Sequence, residues 1–151
     1  NVVTPKATIR MTVRGSTVDD LEGIILPAIK AAAQEISSSY GAQVEMHHYE
    51  PLFKDMRQDK KLLDLFKDVM TEFGEIPRIL PDDEADGSTD VGNVSYEVPT
   101  AQPTLQIGLG LEAHTPEFTC AAGSDYGLAQ AIKGAKIMAV VALRYALLRD
   151  A

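Results

Sequence analysis

His114 is the side chain best suited to metal chemistry, because neutral imidazole is a common zinc ligand. It follows a predicted strand that ends near Leu109 and precedes Thr115 and Pro116, which can cap and open a helix. This junction is the carboxyl end of a strand, where open α/β sheets bind ligands. A surface or helix-capping histidine explains the same pattern, since one histidine never forms a zinc site by itself. Both interpretations stay open on this local pattern.

The stretch from Gly87 to Ser95 is dense in small and polar residues. Such residues let a ligand approach the backbone closely and offer hydroxyl and N–H groups to it. A tight turn followed by a helix cap would use the same residues, with Ser88, Thr89 or Asp90 as the cap. The sequence supports the two interpretations equally, and it contains no phosphate-loop, dinucleotide or serine-nucleophile motif.

Two further polar clusters are assigned to ordinary structure. The adjacent His47 and His48 point to opposite faces of a predicted strand, so they do not share a metal ion. An acidic run imitates a calcium loop but has Asn93 where a bidentate glutamate is expected, and Pro81 rather than a helix precedes it. We expect a solvated acidic loop rather than a calcium site. The residues that imitate calcium ligands or the loop glycine are Asp82, Glu84, Asp86, Gly87 and Asp90.

The pattern of apolar residues predicts two strands around one helix in residues 1–49. Residues 6–14 and 42–49 alternate between apolar and polar side chains, which is typical of half-buried strands. Between them Ser16 or Thr17 can cap a long helix, and Pro27 predicts a bend in it. A strand, a helix and a strand fit half of a two-layer sandwich, so the predicted fold class is α/β.

A domain boundary is predicted near residue 50, where Pro51 begins a polar linker. An amphipathic helix over residues 62–73 follows and ends at Gly74. Residues 103–109 predict a buried strand. The final helix, residues 124–148, is apolar on nearly every face and therefore needs cover on more than one side. This suggests that part of the protein is absent.

Charge and composition narrow the class of protein. Fourteen Lys and Arg against 22 Asp and Glu give a net charge of −8, which disfavours nucleic acid as a partner. No apolar run approaches the roughly 18 residues that cross a bilayer, so we expect no membrane insertion. The single Cys120 cannot form an internal disulfide and lies in an Ala-rich stretch that we expect to be buried, which favours a cytoplasmic protein. The chain starts with Asn1, so we expect it to begin inside a longer protein.

Three segments in one order resemble the C-terminal half of metallopeptidase family twenty. They are residues 1–5 (NVVTP) with Arg14, residues 87–100 (GSTDVGNVSYEVPT) and residues 114–118 (HTPEF). That family includes the aminoacylases, glutamate carboxypeptidase and the aminobenzoyl-glutamate hydrolases, and the last two segments are most similar to its amidohydrolase and dipeptidase branch. The resemblance covers essentially the whole chain, and the ordered set is more specific than any one segment.

The resemblance implies a catalytic α/β domain with two zinc ions, interrupted by a smaller lid domain that usually mediates dimerisation. Residues 1–50 would be the second half of the lid, and residues 51–151 the C-terminal part of the catalytic domain. The missing neighbours of the final helix would come from an absent N-terminal half of the same protein. That half would also carry the family's other zinc ligands and its general base, so we expect no catalytic residue here.

The family's site residues transfer to this chain position by position. His114 matches the last zinc ligand. Asn1 and Arg14 match the lid positions that hold the carboxylate of the substrate, often in the site of the partner subunit, and an amide donor and a guanidinium fork suit that task. A solvated strand residue is the alternative for Arg14. The loop that lines the substrate pocket matches Gly87, Ser88, Thr89 and Asp90.

The function implied is hydrolysis of an amide bond next to a free carboxylate, in a dipeptide or an N-acyl amino acid of the aminobenzoyl type. We expect a homodimeric zinc enzyme. The alternative, from a different class, is a non-catalytic binding or dimerisation module in which the strand–helix–strand unit pairs edge to edge. Neither interpretation involves nucleic acid or membrane.

Overall fold

The computed structural model describes residues 2–78, 80 and 87–149, and within these ranges the regular structure is helical. A π-helical turn, Leu21–Ile25, joins the first two α-helices. The α-helices are α1 (Val18–Asp20), α2 (Leu26–Ser39), α3 (Lys60–Glu72), α4 (Val91–Ser95), α5 (Pro116–Ala122) and α6 (Asp125–Arg149).

The helix starts follow the capping chemistry of the sequence. The Thr17 hydroxyl accepts a hydrogen bond from Asp20 N at 3.1 Å, and Thr115 caps α5 in the same way, so both predicted caps are confirmed. Asp59 caps α3 by accepting from Leu62 N at 2.8 Å. The predicted helices over residues 62–73 and 124–148 are also confirmed, because α3 and α6 match them to within two residues at each end.

The long helix after Thr17 changes geometry just ahead of Pro27. Proline has no N–H to donate to the carbonyl four residues earlier, and its ring crowds that carbonyl. Four residues earlier lies Gly23, inside the π-helical turn Leu21–Ile25. The sequence predicts a bend at Pro27, and the irregularity that the structure has there is this widened turn.

The predicted α/β fold is wrong, because none of the residues that the structure describes belongs to a strand. Residues 6–14, 42–49 and 103–109 are non-helical and unpaired as strands. In the first of these segments Ile9 remains 80% exposed and Met11 53% exposed. Alternation specifies which side chains share a face, but a strand also needs a neighbour with which its backbone can pair. The described ranges provide no such neighbour.

The chain divides into two units, which are residues 1–55 with 88–93 and residues 56–87 with 94–151. In the first unit the buried apolar side chains are Val18 and Leu21, and α2 buries no residue fully. The interpretation of residues 1–50 and 51–151 as parts of a lid and a catalytic domain stays a prediction.

The second unit has a small core where α3 packs against α6. Val69 is fully buried, and Met70, Ile137 and Val141 are at most 8% exposed. Burial of each such side chain stabilises the fold by about 1.5–3 kcal/mol. Much of α6 stays uncovered, since many of its large apolar side chains remain more than half exposed. They include Leu128, Ile132, Met138, Leu143 and Leu147.

In the described ranges, no helix combines the length and the apolar character that crossing a bilayer requires.

Candidate functional site

His114 occupies the turn immediately before α5 and has a left-handed backbone, with φ of 64°. Among the described residues it is the one non-glycine residue with positive φ. Histidine adopts this conformation more readily than branched residues, but the side chain still crowds the backbone there. Residues held in such conformations cluster at functional sites, where the surrounding structure must hold them.

The residue that holds this turn is Thr115. Its hydroxyl donates to the carbonyl of Glu112 at 2.8 Å and accepts from Phe118 N at 3.2 Å. One side chain therefore ties the backbone before His114 to the first turn of α5. The His114 side chain is exposed and makes no hydrogen bond or ion pair to any residue that the structure describes. Its imidazole nitrogens are thus free to meet a ligand.

The described residues do not fit a metal ion by themselves. Among them, no three His, Cys, Asp or Glu side chains are grouped so that they could hold one. A zinc site needs three or four protein ligands at about 2.0–2.3 Å. The described residues alone therefore do not complete such a site.

The segment Gly87–Asp90 forms a turn that leads into α4. Gly87 has φ of 81°, a left-handed conformation that glycine adopts without strain. The Thr89 hydroxyl accepts a hydrogen bond from Val91 N at 3.3 Å, which is helix capping. The turn-and-cap interpretation of this segment is therefore confirmed. Its role in lining a substrate pocket stays a prediction, and Gly87, Ser88 and Asp90 are exposed.

In the first unit, Gly92 and Asn93 at the start of α4 anchor this turn to residues 52–55. The Asn93 amide donates to Leu52 O and accepts from Lys54 N, both at 2.8 Å. Gly92 is buried against the carbonyl of Lys54, so a Cβ at position 92 would collide with that oxygen. The sequence pattern predicts neither role, since it presents Asn93 as part of the 87–95 stretch and as a failed calcium position. The sequence feature at these positions is an asparagine directly after a glycine.

Of the two predicted carboxylate-binding residues, Arg14 is the one that the structure describes. Arg14 is exposed and, within the described residues, forms no hydrogen bond or ion pair with Ser88, Thr89 or Asp90. Asn1 lies outside the described residues. So do Asp82, Glu84 and Asp86, the first three carboxylates of the run that imitates a calcium loop. The structure therefore does not test a calcium site at this run.

Other sequence predictions fall on exposed residues. His47 and His48 are both exposed, and His47 Nε2 lies 3.5 Å from a carboxylate oxygen of Glu45. Cys120 is exposed on α5, so the expectation that it is buried is wrong. The helix α5 packs against α6 but leaves Cys120 in solvent.

An apolar groove of about 440 Å³ lies beside α6 in the second unit. Its walls come from α3, residues 101–107 and the first half of α6. The buried Gln130 borders it and donates to the carbonyl of Gln106 at 3.0 Å and to Glu75 Oε1 at 3.4 Å. Lys133 Nζ lies 2.5 Å from the same carboxylate, and this hydrogen bond lowers the pKa of Glu75 below its ordinary value. Nothing in the sequence pattern pointed to this network.

No protein-family model and no solved structure matches the chain. Two curated proteins do, one from Mus musculus and one from Homo sapiens, and both are named Xaa-Arg dipeptidase. Each is 44% identical to this chain over 57 residues, which make up 38% of this chain. The match spans 13% of the length of either relative, so the similarity covers one segment of a much longer protein.

Proposed function

We propose that this chain is part of a metal-dependent dipeptidase or a closely related amidohydrolase, which cleaves an amide bond next to a free carboxylate. The observation that carries the proposal is the 44% identity over 57 residues to proteins named Xaa-Arg dipeptidase. The resemblance of three ordered segments to metallopeptidase family twenty supports the same class. The substrate would be a dipeptide or an N-acyl amino acid.

His114 is proposed as a zinc ligand of the complete enzyme. Its imidazole is exposed and unpaired among the described residues, and the Thr115 hydroxyl fixes the turn that presents it. A fixed backbone favours metal binding, because the ligand does not have to be ordered when the ion arrives. The remaining ligands of two zinc ions would come from residues outside the described part of the chain, including an N-terminal half of the same protein.

Arg14 is proposed to hold the carboxylate of the substrate, together with Asn1, in a homodimer in which the lid of one subunit reaches the site of the other. The Arg14 guanidinium is exposed and has no carboxylate partner among the described residues, so it is available for a bidentate contact. The segment Gly87–Asp90 would line the pocket with backbone N–H groups and hydroxyls.

Zinc analysis and dipeptide hydrolysis of the full-length protein test the role of His114. Replacement His114→Ala should lower bound zinc and should reduce kcat by more than about 100-fold, since even outer-shell changes at metal sites cost 10–100-fold. The matched control is His48→Ala, another exposed histidine, which should leave both quantities unchanged. Unchanged zinc content and turnover in His114→Ala would refute the proposal.

A second assay tests Arg14 through the substrate carboxylate. Arg14→Gln should raise KM by about tenfold for a dipeptide with a free C-terminus, because a charge-assisted contact is lost. The same variant should hydrolyse the C-terminally amidated dipeptide as the unmodified protein does. Arg10→Gln, on the same exposed segment, is the control and should change neither KM. Equal effects on both substrates would contradict a carboxylate-binding role.

The alternative, a non-catalytic binding or dimerisation module, is not supported in the form that pairs strand edges. That form depends on strands at residues 6–14 and 42–49, and the described residues of both segments are non-helical and unpaired.

A further inference from the structure

The second unit contains a cleft of about 350 Å³ at the start of α3. The proposed site residues His114, Arg14 and Gly87–Asp90 do not line it. Residues 57–59 form one wall and residues 95–99 form the other. Two hydrogen bonds hold the walls in place. Arg57 N donates to the Ser95 hydroxyl at 2.9 Å, and Gln102 N donates to Gln58 Oε1 at 3.3 Å. These bonds connect residues 57 and 58 with residues 95 and 102.

The charged group of the cleft is an arginine stacked on an aromatic ring. The guanidinium carbon of Arg57 lies 3.7 Å from the centroid of the Tyr96 ring, which is a cation–π contact. Stacking occupies the face of the guanidinium and leaves its N–H edge available. No carboxylate pairs with this edge among the described residues. A planar fork of donors in this position matches the geometry of a carboxylate.

Two acidic residues of the same cleft further limit the class of ligand that it can bind. Asp59 is occupied, because it accepts the hydrogen bond of Leu62 N that caps α3. Glu97 is exposed, and its side chain has no partner among the described residues. With two carboxylates beside one arginine, the cleft repels a dianion such as phosphate. A ligand that carries its own positive charge avoids this repulsion.

We propose that this cleft binds a free α-amino acid, with the ligand carboxylate on the stacked Arg57 and the ligand ammonium beside Glu97. Val98 and Pro99 form an apolar wall, which suits an aliphatic side chain. This binding site goes beyond the proposed dipeptidase function, because it includes neither His114 nor Arg14. Its test is therefore independent of theirs.

Titration of the full-length protein with L-leucine, followed by NMR shifts at residues 95–99, tests the proposal. Leucine should bind saturably. L-leucinamide, which lacks the carboxylate, and N-acetyl-L-leucine, which lacks the ammonium, should each bind at least about tenfold more weakly, as expected for the loss of one charge-assisted contact. Leucinamide that binds as tightly as leucine would overturn the proposal. Inorganic phosphate that binds more tightly than leucine would also overturn it, in favour of a general anion site.

Single substitutions test the Arg57 contact and the Glu97 contact separately. Arg57→Gln should weaken leucine binding by about tenfold or more. The matched control is Arg10→Gln, which should not weaken binding, because Arg10 is exposed and has no partner among the described residues. Glu97→Gln should weaken leucine but leave N-acetyl-L-leucine unchanged, because that analogue has no ammonium to lose. Thermal unfolding of each variant checks that the fold is retained. If Arg57→Gln binds leucine normally, the proposal is wrong. If a variant fails to fold, the comparison of leucine with its blocked analogues on the unmodified protein still tests the proposal.

Discussion

The two units of the chain differ in what holds them together. The second unit has an apolar core in which Val69 is fully buried and Ile137 is 2% exposed. In the first unit, helix α2 buries no residue fully, and Ile36 on that helix is 61% exposed. In the first unit the Asn93 side chain instead forms hydrogen bonds with the backbone of Leu52 and Lys54, and Gly92 lies against the Lys54 carbonyl. An amphipathic pattern thus produces a core only where a second element covers the apolar face.

The largest effect is expected from truncation of the apolar core. Ile137→Ala should lower the free energy of unfolding by about 2–5 kcal/mol, because it removes buried methyl groups and leaves a cavity. Ile36→Ala makes the same chemical change on α2, where the side chain is exposed, and should cost less than about 0.5 kcal/mol. Urea denaturation measures both. Equal losses would mean that the apolar faces of the two units are covered to the same degree.

A smaller effect is expected from the backbone contact of the first unit. Gly92→Ala should lower the free energy of unfolding by about 1–3 kcal/mol. The new Cβ would overlap the Lys54 carbonyl and push the two backbone segments apart. Gly23→Ala is the control, since a Cβ there would meet no atom of the described residues within 4 Å and alanine favours a helix. It should be neutral or stabilising by up to about 1 kcal/mol. If Gly92→Ala is equally neutral, close backbone packing does not hold this unit.

The ion pair of Glu75 and Lys133 should give the second unit a dependence on pH. The pKa of Glu75 in the folded chain lies below its ordinary value of 4.5, mainly because Lys133 donates a hydrogen bond to the carboxylate. The resulting stabilisation is fully present above pH 4.5 and is lost as the pH falls through the lowered pKa. Glu75→Gln should lower the free energy of unfolding by about 1 kcal/mol at pH 7. In this variant the free energy of unfolding should also decrease less as the pH falls below 4.5.

The control for this ion pair is Glu72→Gln. Glu72 also has a lowered pKa, through its hydrogen bonds from Arg144, but its side chain is 52% exposed against 20% for Glu75. Solvent screens the more exposed pair, so its loss at pH 7 should be smaller. Thermal melts between about pH 3 and pH 7 compare the two variants. A larger effect of Glu72→Gln would mean that partial burial does not strengthen the Glu75 pair.

Helices could be predicted from the sequence because their hydrogen bonds are local. Thr17, Thr115 and Gly74 mark helix ends by short-range chemistry, and α3 and α6 follow from the spacing of apolar residues. The predicted strands failed for the opposite reason. Residues 6–14 alternate as a strand would, but pairing requires a distant segment, and alternation does not indicate whether one is present.

The candidate site could be predicted only as a set of separate residues. His114 was singled out from its position before Thr115 and Pro116, and the structure adds that its backbone is left-handed. Asn93 and Gly92 were missed because their partners, the backbone groups of residues 52–54, are not encoded by side-chain type. Arg57 and Tyr96 were missed for a related reason, since stacking between residues far apart in the chain leaves no local pattern.

The smallest expected effect concerns the strained turn at His114. His114→Gly should raise the free energy of unfolding by about 0.5–1 kcal/mol, because glycine adopts φ of 64° without the crowding of a side chain. His48→Gly, at an exposed position without positive φ, should instead be slightly destabilising. If His114 is also a zinc ligand, the glycine variant of the full-length protein should be more stable without metal and should lose zinc. A variant that is less stable than the unmodified chain would mean that the His114 side chain contributes to the fold, and its left-handed backbone would then give no support to a functional role.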